Sequence, residues 1–277
     1  MQRNVLLLIT VLAFSANALA DAQWYKGATH VHTLWSDGDG APEVAAEWYK
    51  SRGWDFVCYT DHNTLLEGEK FMAVGGDKRL PQERFDELVA EFGDDWIETR
   101  EVDGVQQMRL KTFDELSKRF NEAGKFLLVP AEEMTTQGGN PHMNAINLRE
   151  AVPGLPNEGE KAPIMQHYVD AIRAQQKKYD VPMLVHLDHP NYHDRITTEE
   201  ILQVNHLHFF EVFNGTGGVH SWGIAEEGVP SGDRHWDVIL AMKQRRDPDY
   251  LMYGVATDDS HQYYGFQVGR SNPGRGW

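Results

Sequence analysis

The 277-residue chain sets 26 Lys and Arg against 42 Asp and Glu, a formal net charge of −16, with 41% hydrophobic and 25% charged residues. That balance excludes long disordered stretches, and the lack of any dense basic run argues against a nucleic acid polymer, whose counterions need clustered Lys and Arg to replace them. A small anionic substrate stays compatible, because bound divalent cations invert the local field.

At the N-terminus, Arg3 precedes an apolar stretch over 5–14 broken only by Thr10, and Ala18-Leu19-Ala20 follows as a small-x-small cleavage pattern. This predicts a signal peptide over 1–22, hence a periplasmic or secreted protein. The run is shorter than the roughly 20 residues that span a bilayer, and no later stretch is apolar enough to do so. Residues 23–277 read as a single domain without linker or repeat, of unspecified oligomeric state. The single cysteine, Cys58, permits no internal disulfide. Within Phe56-Val57-Cys58-Tyr59 it reads as a packed, inert thiol.

Strands are expected at 28–31, 55–59, 126–130, 144–148, 183–187, 209–213 and 252–256. Most are short apolar runs without polar alternation, as in strands buried on both faces. Pro42 and Gly53 bracket a helix over 42–52. Thr112 and Glu115 form a capping box opening 112–123, which Gly124 ends. Two more helices read over 162–179 and 233–244. Strand–helix alternation predicts a parallel sheet, closed or wound, with helices outside. One stretch departs from it: 96–110 alternates in the β manner around Val102-Asp103-Gly104-Val105, a type I′ hairpin signal. With 65–93 it forms an insertion, about 64–111, of the kind that decorates the active face of a barrel. Gly269 to Trp277 reads as the start of a further strand, so an incomplete C-terminal wall is expected.

The chemistry gathers at strand ends. His30-x-His32 closes the first strand, with Ser36-Asp37-Gly38 just after. Thr60-Asp61-His62-Asn63 closes the second and Glu132-Glu133 the third, with His142 beyond. His186-Leu187-Asp188-His189-Pro190 and Asp258-Asp259-Ser260-His261 close two later ones. In parallel α/β folds that end is where ligand-binding loops converge. A lone histidine there is ordinarily a hydrogen-bonded structural residue; six clusters rich in His, Asp and Glu point to metal. Mixed imidazole and carboxylate donors suit Zn, Mn or Fe. An x-spaced pair such as His30 and His32 presents both rings to one face, and a carboxylate such as Glu133 can bridge two ions. Paired metals lower the pKa of a shared water and clamp attacking and leaving oxygens.

In this order, the strings His30-Val31-His32 with Ser36-Asp37-Gly38, Thr60-Asp61-His62-Asn63, Pro130-Ala131-Glu132-Glu133-Met134-Thr135, His142, His189-Pro190-Asn191 and Asp259-Ser260-His261 resemble the PHP (polymerase and histidinol phosphatase) metal-dependent phosphoesterases, over 25–269. The resemblance implies a distorted (β/α)7 barrel with up to three divalent ions at its C-terminal mouth. One ion would take His30, His32, Glu133 and Asp259. A second would share Glu133 and add His142 and His189; a third would take Asp37, His62 and His261. Glu132 and Asp258 stand as alternatives to Glu133 and Asp259. The family's spacing before Thr135 favours Glu133, and the x-spaced relation to His261 favours Asp259.

Asp61 or His186 is the expected proton shuttle, and His186 and Asp188 are extra polar groups beside His189 that would support the ligands or meet substrate. Glu211 and Asn214 are candidate substrate contacts. His220, Arg234 and His235 read as solvated loop positions, and Trp24, Trp35 and Trp222 as packing. The expected reaction is hydrolysis of a small phosphomonoester or phosphodiester by a metal-activated hydroxide. The same metals would serve amide or lactone hydrolysis. A non-catalytic metal-binding protein is the third reading, against which the intact ligand set argues.

Overall fold

A computed structural model describes residues 23–266 and 270–276, so the expected signal peptide lies outside the described residues. In chain order the elements are β1 (Gly27–Ala28), α1 (Pro42–Ser51), β2 (Phe56–Tyr59), β3 (Phe71–Ala73), α2 (Gln82–Phe92), β4 (Thr99–Val102), β5 (Val105–Arg109), α3 (Phe113–Phe120), β6 (Leu127–Thr135), β7 (His142–Ile146), α4 (Lys161–Tyr179), β8 (Leu184–Leu187), α5 (Thr198–Gln203), β9 (Phe209–Asn214), α6 (Gly232–Gln244) and β10 (Tyr253–Thr257). Seven strands form one sheet in the order β1-β2-β6-β7-β8-β9-β10. Its two edges meet just past β1 and β10, where Val31 bridges Ser260 in parallel. There His32 N–H donates to the Ser260 carbonyl (2.9 Å) and Ser260 N–H to that of His30 (3.3 Å). The result is a nearly closed, distorted barrel.

The expectation of a wholly parallel sheet fails at β7, which runs antiparallel to both β6 and β8. Only residues 136–141 join β6 to β7, whereas a parallel crossover takes about a dozen residues or more. The reversal matters for the site: it brings the first residue of β7, His142, to the same mouth as the last residues of the parallel strands.

Helices α4, α5 and α6 cover one side of the barrel with a core that includes Met165, Tyr168, Ile201, Phe210 and Ile239. On the other side α1 shares its core with the insertion. Tyr49, Leu80, Leu88, Met108 and Leu116 pack with Leu34 and Trp35, and Trp35 Nε1 donates to the Lys111 carbonyl (2.8 Å). The insertion's hairpin has φ of 52° at Asp103 and 76° at Gly104, the left-handed pair that a type I′ turn demands. Residues 270–276, read above as the start of a strand, form none. Instead Gly274 and Gly276 N–H donate to the two Asp258 oxygens at 2.7 and 2.6 Å, and the Ser271 carbonyl accepts from His261 N–H (2.8 Å). Cys58 is fully buried and its thiol is pushed up by burial, as expected of an inert group.

Arg109 ties the hairpin to α3, bridging Glu98 (2.6 Å) and Glu115. It holds each carboxyl down to about 2 from an ordinary 4.5. A carboxyl depressed on folding adds stability above its ordinary value, and that stability is lost as pH falls toward the folded one. The group is partly exposed, so Arg109→Met should cost only about 1 kcal/mol at neutral pH. It should also flatten the loss of stability between pH 4.5 and 2, read by urea unfolding at stepped pH.

Candidate metal centre

Val31, between the two histidines, is fully buried in the core, so His30 and His32 turn to the opposite face, into the barrel. Strand alternation does the same on β6. Glu133 points inward, while Glu132 points out and accepts from Val152 N–H (2.9 Å), its pKa pushed up to about 7 by burial. At the end of β10 the adjacent pair divides likewise. Asp258 receives Tyr49 Oη (2.7 Å) and the C-terminal amides, and Asp259, with φ of 48°, turns to the histidines.

The inward donors converge. Glu133 Oε2 lies 3.5 Å from His30 Nε2, 3.1 Å from His32 Nε2 and 2.9 Å from His62 Nδ1. Glu133 Oε1 lies 2.7 Å from His142 Nδ1 and 3.3 Å from His189 Nε2. Asp259 Oδ1 sits 3.3 and 3.2 Å from the Nε2 atoms of His30 and His32. Farther out, Asp37 Oδ1 is 3.5 Å from His62 Nε2 and 3.2 Å from His261 Nε2. Among the described residues, donor atoms within 4.8 Å of one another form five sets, four of them from the mouth alone: His30, His32 and Glu133; His30, His189 and Asp259; His62, Glu133 and His142; and His32, Asp37, His62 and His261. All nine residues expected as ligands from the sequence fall within these sets. The inner end is closed and the outer end open, with the Asp37 side chain 57% exposed.

Three of these atoms, His30 Nε2, His32 Nε2 and Glu133 Oε2, are buried without an aligned hydrogen bond. Buried polar atoms are rarely left so, and three of them aimed at one point fit a cation. His235 shows the contrast. Its Nδ1 meets Thr198 Oγ1 (2.8 Å) and its Nε2 meets Asn191 Oδ1 (3.2 Å), which makes it a fully partnered core histidine.

The electrostatics favour alternating charge. Burial alone would raise the Glu133 carboxyl, but His62, His142 and His30 hold it well below the ordinary range. Burial likewise opposes ionisation of Asp259, yet His30, His32 and His261 hold it well below. Burial would lower His189, but the hydrogen bond and charge of Glu133 raise it to about 9. Glu133 and Asp259 are thus ionised and ready to ligate, and an ion must displace protons from the raised imidazoles of His30, His32, His62 and His189.

A second layer fixes this one. Glu211 Oε1 accepts from His30 Nδ1 (2.7 Å) and Thr257 Oγ1 (2.6 Å), and its Oε2 from His189 N–H (2.7 Å) and Asn214 Nδ2 (3.0 Å). Asn214 Nδ2 also reaches Asp259 Oδ2 (3.2 Å). Glu211 and Asn214, expected to contact substrate, are therefore buried supports for His30 and Asp259. Asp61, expected as a proton shuttle, is fully buried and accepts from Thr33 N–H (2.8 Å), Thr33 Oγ1 (2.9 Å) and Ser36 Oγ (2.6 Å). It folds the loop that carries Asp37. His186, the other candidate shuttle, is buried beside Asp188, 2.7 Å from Nδ1 to Oδ1. Two insertion side chains escaped the sequence reading: Lys70 Nζ donates to the Trp35 carbonyl and Arg79 to that of Ser36, gripping the Asp37 loop from outside. Of the remaining expectations, His220 and Arg234 are exposed but His235 is not. Trp35 packs, whereas Trp24 and Trp222 are 100% and 81% exposed.

No protein-family model matches the chain, and no curated protein does. Among solved structures it resembles a two-domain protein from Bacteroides vulgatus that contains a predicted PHP-like metal-dependent phosphoesterase, at 17% identity and TM-score 0.42 over 86% of this chain and 52% of that one. Endonuclease Q in complex with a 27-mer duplex follows at 13% and 0.36, over 89% and 51%. A proposed metal-dependent phosphoesterase from Bifidobacterium adolescentis stands at 15% and 0.37, over 89% and 90%. The chain spans about half the length of the first two. At these scores the likenesses carry no functional weight, and with one neighbour bound to DNA they lend no support to the expected exclusion of nucleic acid.

The two glutamates of β6 should separate cleanly. Glu133→Gln should strip bound metal, whereas Glu132→Gln should leave it in place, both read by elemental analysis. Glu211→Gln, which loosens His30 without removing a donor, should weaken metal binding about 10–100-fold by competition titration. Equal metal content in all three variants would remove the centre described here.

Proposed function

We propose that this chain is a metal-dependent hydrolase, and specifically a phosphoesterase acting on a small phosphomonoester or phosphodiester. One observation carries the reading: nine nitrogen and oxygen donors from six separate stretches of chain meet at one barrel mouth, with Glu133 at the centre and buried atoms that lack an aligned hydrogen bond turned to one another. Mixed imidazole and carboxylate donors suit Zn, Mn or Fe. In the assignment we favour, His30, His32, Glu133 and Asp259 hold one ion, Glu133 with His142 and His189 a second, and Asp37, His62 and His261 a third. When bound, such ions supply Lewis acidity at an oxygen and a strong water-derived nucleophile at neutral pH.

The chain's own residues do the rest. Glu211 accepts the Nδ1 proton of His30 and so leaves Nε2 free to ligate. Asn214 holds the outer oxygen of Asp259, so that the inner one faces the histidines. The buried side formed by His30, Glu133 and Asp259 keeps bulk water from the inner ligands, while the exposed Asp37 leaves the outer side for substrate to approach. Phosphate fits this mouth because several cationic positions in a row match the spread of charge over phosphoryl oxygens. No protein nucleophile is needed. The predicted signal peptide supports action in the periplasm or outside the cell, and residues 23–277 as one catalytic domain.

Metal-loaded protein should release phenolate from an aryl phosphate, and chelation should abolish the activity. His30→Ala and Asp259→Ala should each lower kcat/KM by about a thousand-fold or more, at the upper end of losses for one electrostatic group. A parallel panel of anilides and lactones separates the phosphoesterase from a carbon-centred hydrolase. Turnover of the panel alone transfers the reading to amide or lactone substrates, and full activity after chelation ends it.

A further inference from the structure

Inside the barrel, beside the mouth donors, lies a second group of buried polar side chains that the nine-donor assignment does not use. Asp188 and Asn144 are fully buried and His186 nearly so. Both oxygens of Asp188, both nitrogens of His186 and Oδ1 of Asn144 lack an aligned hydrogen bond. His186 and Asp188 are x-spaced at the end of β8, so they share a face. Asn144 on β7 is the direct cross-strand partner of His186 and also of Glu133 on β6, which turns all of them toward the interior. His186 Nδ1 lies 2.7 Å from Asp188 Oδ1, and the His186 and His30 rings are 6.5 Å apart.

Asp188, Glu211 and His30 also offer donor atoms within 4.8 Å of one another. Glu211 is not free to act there, because its two oxygens already accept four hydrogen bonds. It contributes charge instead. Two neighbouring buried carboxylates, an amide oxygen and an imidazole make a set rich in acceptors, in which a proton drawn onto His186 by Asp188 offsets the charge until an ion replaces it. Lone water satisfies hydrogen bonds but brings no charge, and buried carboxylates call for a paired or metal-bound cation.

We propose that Asp188, His186 and Asn144 form an additional interior cation site, separate from the mouth, for a first-row divalent ion. The mixed nitrogen and oxygen set matches that class. The site shares none of the nine mouth donors. It is sealed from solvent, so its ion is structural and exchanges slowly.

The test is metal content and location in the purified, metal-loaded protein. Asp188→Asn should hold about one metal equivalent per chain less than wild type, with its melting temperature falling toward that of the chelated protein. The mouth variant Asp37→Asn with His261→Gln should lose a different equivalent, and combining all three changes should add the two losses. Equal metal content in wild type and Asp188→Asn overturns the proposal. Should Asp188→Asn fail to fold, anomalous diffraction at the metal edge from wild-type crystals decides. A peak within bonding distance of Asp188 supports the site, and peaks at the mouth alone overturn it. Absence of peaks at the mouth would instead remove the proposed function, so the two failures are distinct.

Discussion

One carboxylate organises the barrel interior. Glu133 reaches five imidazoles at 3.5 Å or less, contributed by His30, His32, His62, His142 and His189. A fully buried carboxylate with no counter-charge is among the most expensive groups a protein can hold. Its position on β6, flanked by β2 and β7, therefore dictates which residue types can stand opposite. They must be able to carry a proton or a cation. The polar axis of this barrel, where an ordinary (β/α) barrel is filled with branched aliphatic side chains, follows from that requirement. The two large aliphatic cores lie outside, under the helices, and among the described residues only a small apolar cluster of Cys58, Ala131 and Ile146 shares the interior face with Glu133.

Much of this was legible from sequence where geometry forces the pattern. His30-x-His32 read correctly because two-residue spacing on extended chain shares a face, whereas Asp259 reaches the same pocket through a left-handed turn, with φ of 48°, past the end of β10. The Thr112–Glu115 capping box opened α3 where its chemistry said it should. What failed did so for physical reasons. The direction of β7 hid in the length of one short loop, since the apolar run itself reads the same whether a strand runs up or down. Glu211 sits at a strand end beside the mouth, and a carboxylate that supports a ligand cannot be told there from one that meets substrate until its partners are seen. α5 carried a readable capping box in Thr197 and Glu200, but six residues are too few to show a helical period. β3 is shorter still, and its pairing with β5 is a tertiary fact.

The supporting layer is as specific as the ligands. Glu211, Asn214 and Thr257 lie on β9 and β10, and through them two strands set the ring plane of His30, just past the end of β1. Asp61 works in the same way for the outer loop, through Thr33 and Ser36. These residues are buried and make their hydrogen bonds without help from solvent. They set the donor positions before any ion arrives, which lowers the ordering cost of binding.

The barrel seam has a further consequence. Its closing hydrogen bonds run from the backbone of His30 and His32 to Ser260, and the side chains on either side of that seam are the innermost donors. Anything that pulls His30 or His32 toward Asp259 therefore also draws the first and last strands together. The outermost donor, Asp37, is different, because Lys70 and Arg79 reach its loop from a segment that the barrel does not need for closure. Sequence drift in that segment can retune the solvent-facing end without reopening the seam, so the two ends of the pocket are free to evolve at different rates.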